Sequence, residues 1–122
     1  MGTLLRQAVV VLFLGFGLRV SASVFYVDLN SLDPEPPYSD WATAATNIQD
    51  AVDLAVDGDT VVVTNGTYET GGRPAPGEVL TNRVFVPAAI TLESVNGAAV
   101  TTICGYQVPG ITTGIARCVA FT

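Results

Sequence analysis

The sequence predicts an all-β solenoid, a parallel β-helix whose N-terminal rungs are capped by one amphipathic α-helix. Three observations lead to this fold class. From residue 60 onward, short segments rich in Val, Ile and Thr alternate with turns that contain Gly, Pro and Asn. The intervals between these segments vary widely, which favours a solenoid with corner loops of different lengths over a β-sandwich. One helical pattern, at residues 43–56, stands directly before the first of these segments.

The composition excludes several functional classes. The 122-residue chain is 49% hydrophobic and 13% charged, which is unlike a disordered protein. It contains no His and, because all five basic residues are Arg, no Lys. The missing imidazole excludes Ser/His/Asp and Cys/His catalysis and the commonest zinc ligand. The formal net charge of −6 argues against nucleic acid and against an anionic membrane surface as partners.

The first 22 residues have the three-part pattern of a secretory signal peptide. Arg6 is followed by an uncharged apolar run at residues 8–18 and by small residues up to Ala22. A membrane anchor is disfavoured, because a helix of about 11 residues covers only roughly 16 Å of a hydrocarbon core of roughly 30 Å. We expect cleavage after Ala22, with cleavage after Ser23 as the second choice, and a secreted or cell-surface protein. Cleavage leaves three Arg against all 11 acidic residues, a net charge of −8.

A strand and a proline-rich loop are expected at the start of the mature chain. Val24–Leu29 is rich in β-branched and aromatic residues, as strands are. Asn30–Tyr38 contains three Pro residues, which lack amide donors, and we expect an exposed loop there. We therefore divide the chain into a signal peptide (1–22), a first strand, loop and capping helix (23–59), and the first β-helix rungs (60–122).

The helix is predicted over Thr43–Val56 from apolar residues at spacings of three and four. The residues of this apolar stripe are Ala45, Ile48, Ala51, Val52, Ala55 and Val56. Thr43 or Thr46 is the expected N-cap, and Gly58 is expected to mark the end. An exposed end of a stack of strands needs a cover, and the stripe is well placed to close the bottom of the solenoid.

Five further strands are predicted after the helix. They are Thr60–Thr64, Arg83–Val86, Ile90–Ser94, Val100–Cys104 and Ile115–Phe121. The continuous apolar run Val61–Val63 suits a strand that is covered on both faces, whereas the third and fourth of these segments alternate as half-buried strands do. This mixture favours a solenoid, in which each turn contributes two or three short strands to a narrow core.

A family resemblance is carried by the helix and the strand that follows it. Its most specific part is Gly58-Asp59-Thr60 and then Val61 to Tyr68, which includes the turn Asn65-Gly66. With FYVDLNS before it and NRVFV, ITLES, VNGAAVTTICG and ARCVAF after it, this part resembles the N-terminal end of secreted bacterial right-handed parallel β-helix proteins of the pectin-lyase-like superfamily. The resemblance implies a right-handed solenoid that is secreted or attached to the cell surface and is often associated with polysaccharides. It does not by itself imply catalysis.

Two hypotheses about function follow from the resemblance. In the first, the chain is the N-terminal capping region of an exported β-helix protein that binds polysaccharide or mediates adhesion, with no catalytic residue in these 122 positions. In the alternative, it is a fragment of a polysaccharide lyase or glycoside hydrolase whose active rungs lie beyond residue 122. The chain stops at an apolar strand with no polar cap, so we expect a protein truncated at its C-terminus. Once the signal is removed, we expect no membrane partner; the oligomeric state stays open.

The resemblance also implies where catalytic groups would lie. Lyases of this superfamily hold calcium with acidic residues and use an Arg or Lys base on central rungs, so we expect calcium only in missing rungs and no cofactor here. Arg83 and Arg117 lie near predicted strand starts, where a solvated charge is ordinary. Asp57 and Asp59 flank Gly58 but provide too few oxygen atoms for the roughly 6 to 8 ligands of calcium. A turn at the end of the helix is the favoured interpretation.

Two pairs of side chains leave alternatives open. Tyr38 and Trp41, beside the proline-rich loop, stack on a sugar ring in one interpretation and pack over the helix cap in the other.

Cys104 and Cys118 are the only cysteines. In an exported chain they can form a disulfide that closes a loop of about 15 residues and adds about 3 kcal/mol. The alternative is two small buried thiols on separate strands, and no His or Lys stands near either to activate it.

Overall fold

Short strands and one short helix make up the regular structure. A computed structural model describes residues 21–106, 109–110 and 116–122. The strands are β1 (Val24–Val27), β2 (Thr60–Val63), β3 (Gly66–Tyr68), β4 (Arg73–Pro74), β5 (Thr81–Val86), β6 (Thr91–Ser94), β7 (Thr101–Ile103) and β8 (Ala116–Phe121). The helix α1 is Ile48–Val52, and a 3₁₀ turn covers Trp41–Thr43. Residues 1–20 of the predicted signal peptide lie outside the described residues. In the part of the chain that the structure describes, no helix reaches the length and apolarity needed to cross a membrane.

The strands form three small sheets. The first has the order β1-β2-β6, the second pairs β3 with β7, and the third has the order β4-β5-β8. All pairs are parallel except β4 with β5. From β2 the chain runs through the second sheet (β3) into the third (β4 and β5), and then repeats this order with β6, β7 and β8. The chain is therefore strand-rich, with small parallel and mixed sheets and one helix among its described residues.

One hydrophobic core lies between the three sheets and α1. Its buried side chains from these elements are Phe25, Val27, Ile48, Ala51, Val52, Val61, Val63, Tyr68, Val84 and Val86. Val61 and Val63 are buried, whereas Val62 between them is only half-buried. The expectation that this run is covered on both faces is therefore wrong. Strand side chains alternate between the two faces, and only the face of Val61 and Val63 meets the core.

The helix is much shorter than the predicted span of 43–56, and its N-cap is neither Thr43 nor Thr46. Asn47 is the N-cap, and its side chain accepts a hydrogen bond from the amide of Asp50. Two residues earlier, Ala45 forms a parallel bridge with Val27 of β1, which requires an extended backbone. Pairing with the sheet thus overrides the helical periodicity of this segment.

The end of the helix also differs from the prediction. The C-cap is Asp53, and the next residues continue in tight turns, with the amide of Ala55 donating to Val52 O at 3.2 Å. Gly58 lies five residues after the C-cap, in a later turn with a φ of +90°. The predicted apolar stripe is nevertheless buried, except for Val56, which is 61% exposed. The stripe therefore covers the core although only part of it is helical.

Predicted strands agree with the observed ones within two residues, but β3 and β4 were not expected. β3 begins at Gly66, which was predicted to lie in a turn. The φ angle of Gly66 is +147°, a value that residues with a side chain rarely adopt. A Cβ atom there would lie 3.2 Å from Leu29 Cδ2. At the end of β3, the Tyr68 ring is buried, and its hydroxyl donates to Thr64 O at 3.0 Å and accepts from the Leu29 amide at 3.3 Å. These bonds satisfy the one polar atom of this core side chain.

The segment after β1 returns to cover the outer edge of the first sheet. The amide of Tyr26 donates to Tyr38 O at 2.9 Å, and the amide of Asp28 donates to Ala45 O at 2.8 Å. The amide of Ala45 in turn donates to Tyr26 O at 2.9 Å. The exposed side of β1 is thereby hydrogen-bonded without a further strand.

A glutamine of α1 covers part of the third sheet, on the same side of the molecule as the outer side of β1. Gln49 is 3% exposed, and its Nε2 donates to Phe85 O at 3.1 Å. Its Oε1 accepts from the Phe85 amide at 2.7 Å. The first residues of β5, Thr81 and Asn82, pair with β4 on this side, and the side-chain amide takes the place of a neighbouring strand beside Phe85. We call this side, formed by β1, β4 and β5, the covered edge.

The opposite side of the sheets is formed by β6, β7 and β8, and we call it the open edge. β6 and β7 are the last strands of their sheets among the described residues. β8 is met on its outer side by a bridge between Tyr106 and Ala116. Leu92, Ile103 and Val119 are only partly buried against the core here. The core therefore reaches the surface at the open edge.

Candidate functional site

The candidate site is an aromatic surface formed by Tyr26 and Trp41. The two ring centroids are 4.7 Å apart, with an interplanar angle of 75°. Trp41 is 41% exposed, and Tyr26 is half-buried. Such an edge-to-face pair holds the indole in one orientation while leaving part of it open to solvent. A braced and exposed aromatic ring of this kind is suited to stacking against a flat apolar surface of a ligand.

The strand and the 3₁₀ turn position the two rings independently. Tyr26 lies between the buried residues Phe25 and Val27 of β1, so the alternation of the strand directs its ring away from the core. Trp41 begins the 3₁₀ turn that Asp40 caps. Asp40 Oδ1 accepts from the Thr43 amide at 2.9 Å and from the Thr43 hydroxyl at 2.8 Å. These bonds lower the pKa of the Asp40 carboxyl below its usual value, so the cap is ionised at neutral pH.

The Tyr38 ring packs against the core and is not part of the exposed aromatic surface. This ring is half-buried, and the backbone of Tyr38 has a left-handed φ of 56°. Burial, and secondarily the charge of Asp50, raises the pKa of the Tyr38 hydroxyl. The aromatic residue that contacts Trp41 is Tyr26, which no local sequence pattern marks as its partner. Its position in β1 between two core residues was the signal that could have identified it.

The surroundings of this aromatic surface are acidic. Asp33, Glu35 and Asp40 are exposed in or beside the proline-rich loop. From residue 21 to residue 72 the sequence contains no Arg or Lys. The local field therefore opposes an anionic ligand and permits a neutral one.

The carboxylates of Asp57 and Asp59 accept hydrogen bonds from backbone amides near the end of the helical segment. Asp57 Oδ1 accepts from the Ala89 amide at 2.9 Å. Asp59 accepts from the Val56 amide at 2.9 Å and from the Ser23 amide at 2.8 Å. The two carboxylates thus bind different backbone groups, in accordance with the predicted turn. Within the described ranges, no group of three or more Cys, Asp or Glu side chains is arranged to hold a metal ion.

Arg83 and Arg117 have structural partners. Arg83 Nε donates to Cys104 O at 2.8 Å and its Nη1 donates to Gly71 O at 2.6 Å. Arg117 forms an exposed ion pair with Glu78. Arg83 therefore ties β5 to the loops that follow β3 and β7, and Arg117 joins β8 to the loop before β5.

The two cysteines lie on adjacent segments as free thiols. Cys104 follows β7 and is half-buried, whereas Cys118 lies in β8 and is exposed. The amide of Gly105 donates to Cys118 Sγ at 3.2 Å. The thiol of Cys118 is thus next to the residue that follows Cys104, and the disulfide stays a prediction.

An apolar groove of about 210 Å³ opens at the open edge. It is lined by residues of β6, β7 and the turn between them, with two core residues beneath: Ile48, Val63, Leu92, Glu93, Ser94, Ala98, Thr101 and Ile103. This volume is below the roughly 300–1,000 Å³ typical of small-molecule pockets. The groove is the place where the core reaches the surface rather than a ligand pocket.

Comparison with known proteins leaves the family open. No family model, no curated protein and no solved structure matches this chain.

Proposed function

We propose that this chain is the N-terminal capping region of an exported, right-handed parallel β-helix protein that binds neutral polysaccharide. The observation that carries the binding function is the partly exposed Trp41 ring braced by Tyr26 at 4.7 Å. The protein acts at the cell surface or after secretion, and its role is attachment rather than catalysis.

The order of the strands supports the β-helix. The chain passes from the first sheet through the second to the third, and then repeats that order. Neighbouring passes pair in parallel, for example Val61 with Leu92 and Val84 with Val119. A rung that is repeated with parallel registers is how a solenoid grows. The covered edge, closed by Gln49 and by residues 38–45, has the properties of a cap, and further parallel strands would add at the open edge.

The ligand class follows from the chemistry around Trp41. Sugar rings have apolar faces that stack on exposed aromatic rings, and hydroxyl groups that accept or donate hydrogen bonds at the rim. Exposed carboxylates at Asp33, Glu35 and Asp40 provide acceptors for such hydroxyl groups. Their charge repels uronic acid polymers, which makes a neutral glycan the preferred ligand.

The fluorescence of the indole offers a direct test, because Trp41 is the only tryptophan in the chain. We expect a neutral glucan or galactan to shift or quench this fluorescence in a saturable way, and polygalacturonate to have little effect. Trp41→Ala is expected to weaken retention on the insoluble neutral polymer by about tenfold, the loss typical of an aromatic residue at the centre of an interface.

The matched control is Tyr106→Ala, which removes another exposed aromatic ring, at the open edge. We expect this variant to bind as the wild type does. Equal retention of the wild type and Trp41→Ala on every neutral polymer, with both proteins folded, would contradict the proposed function.

A further inference from the structure

Asp59 is a buried carboxylate that binds two backbone amides. Asp59 is 4% exposed, although it lies in a turn before β2. Oδ2 accepts from the Val56 amide at 2.9 Å, and Oδ1 accepts from the Ser23 amide at 2.8 Å. These two bonds lower the pKa of the Asp59 carboxyl, so the buried group is negatively charged at neutral pH.

No cationic side chain among the described residues compensates this charge. Arg73 pairs with Asp53 at 3.3 Å, Arg117 pairs with Glu78, and Arg83 binds backbone carbonyls. The adjacent strands β1, β2 and β6 contain no Arg or Lys, and the charged residues in the same turn and in β6, Asp57 and Glu93, are acidic. A buried ionised carboxylate usually has a cationic partner.

The position of Ser23 suggests what that partner is. Ser23 directly follows Ala22, the expected signal cleavage site, and residues 21–23 are exposed to a protease. Hydrolysis of the peptide bond between Ala22 and Ser23 consumes one water molecule. It leaves a carboxylate on Ala22 and an α-ammonium group on Ser23, at the nitrogen that is 2.8 Å from Asp59 Oδ1.

We propose that the new α-ammonium group of Ser23 forms an ion pair with the Asp59 carboxylate, so that removal of the signal peptide strengthens the attachment of the start of β1 to the turn before β2. This inference depends on the proposed export and goes beyond polysaccharide binding. Before cleavage, the Ser23 nitrogen is a neutral amide with one hydrogen. After cleavage it carries a positive charge and three donors, which strengthens its bond to the carboxylate. Ser23 O already accepts from the Thr60 amide at 2.9 Å, next to the register pair Val24 and Thr60.

The absence of Lys allows the reactivity of the Ser23 α-amino group to be measured selectively. Because the chain has no Lys, the α-amino group is the only amine that an acetylating reagent can modify. The full 122-residue chain is produced in an exporting bacterial host, and the mass of the processed protein is measured. We expect a mature protein that begins at Ser23. Pairing with Asp59 raises the pKa of this amine, and a rise of one unit from the usual value near 8 slows acetylation at pH 7 by about tenfold.

Asp59→Asn should restore the ordinary acetylation rate, whereas the matched control Asp57→Asn should react as slowly as the wild type. If Asp59→Asn does not fold, the wild type supplies the same comparison, since its amine should react about tenfold faster in denaturing urea than in buffer. A mature protein that begins at any residue other than Ser23 would overturn the proposal. So would a folded wild type that is acetylated as fast as the unfolded chain. Neither outcome involves polysaccharide, so either is distinguishable from a failure of the proposed binding function.

Discussion

The covered edge and the open edge consist of similar strands but differ in how their backbone groups and core side chains are protected. At the covered edge, residues 38–45 pair with β1, and Gln49 pairs with Phe85 of β5. At the open edge, an apolar groove of about 210 Å³ exposes the core between β6 and β7. Strand composition is therefore not what closes a sheet edge in this chain. A loop backbone and one buried side-chain amide do so, and a sheet edge without such a cover remains able to pair with another strand.

We expect the largest effect from a charge placed beneath α1, where the helix covers the core. Ile48→Asp or Val52→Asp puts an unpaired carboxylate among core residues that are 2% and 1% exposed. We expect loss of the folded state or aggregation, because a buried charge without a partner typically destabilises by about 3–5 kcal/mol. Circular dichroism and thermal unfolding measure this effect. Val56→Asp is the matched control, because Val56 belongs to the same periodic stripe but is 61% exposed. Unchanged melting of Ile48→Asp would contradict the packing of α1 against the core.

Gln49→Ala tests whether one side chain closes the edge of β5. The substitution leaves the amide and carbonyl of Phe85 without their partner, and an unsatisfied buried polar group costs about 1–3 kcal/mol. Urea unfolding should show this loss. Asn96→Ala removes an exposed amide that bonds Asn65 at 2.8 Å near the open edge, and we expect a change of at most about 0.5 kcal/mol. Similar losses in the two variants would show that the cover of β5 has no special role.

A pair of truncations compares the two sides at one register position. Val61 of β2 and Leu92 of β6 are direct neighbours in the sheet, but Val61 is fully buried and Leu92 is only partly buried. We expect Val61→Ala to reduce the free energy of unfolding by about 2 kcal/mol. Leu92→Ala, although it removes more carbon atoms, should reduce it by about 1 kcal/mol or less. The opposite ranking would mean that the core is closed at the open edge as well.

The smallest expected effect concerns the cap of the 3₁₀ turn beside Trp41. Since folding lowers the pKa of Asp40, its contribution to stability is present above the unfolded pKa near 3.8 and is lost as the pH falls through the folded value. Asp40→Asn should therefore unfold with a weaker dependence on acidic pH than the wild type. Thr43→Val, which removes the hydroxyl donor at 2.8 Å, should show an intermediate dependence. Thermal melts between pH 2.5 and pH 7 measure both, and identical curves for all three proteins would contradict this assignment.

Local sequence patterns predicted the strands but not the contacts that close the molecule. The β-branched segments at β2 and β8 were identifiable because strand composition is a property of the segment itself. Gln49 lies outside the predicted apolar stripe, whereas its side chain is buried against Phe85, 36 residues away. The helix was overestimated for the same reason, since Ala45 pairs with β1 instead of continuing a helix.

The candidate site was only half predictable. Trp41 stood out as the single tryptophan beside the proline-rich loop. Its partner Tyr26 depends on how the 3₁₀ turn folds back over β1, which no local pattern encodes. The role of Asp59 likewise depends on a bond to Ser23, 36 residues away in the sequence.

Amide hydrogen exchange of the folded chain tests the difference between the two edges most directly. The outward amides of β1, at Tyr26 and Asp28, donate to Tyr38 O and Ala45 O at 2.9 Å and 2.8 Å. In β6, the amides of Thr91 and Val95 face the β2 side, so those of Leu92 and Ser94 alternate toward the open edge. We predict that Tyr26 and Asp28 exchange only through global unfolding, whereas Leu92 and Ser94 exchange at nearly unprotected rates. Equal protection of both pairs of amides would contradict a molecule that is closed on one side and open on the other.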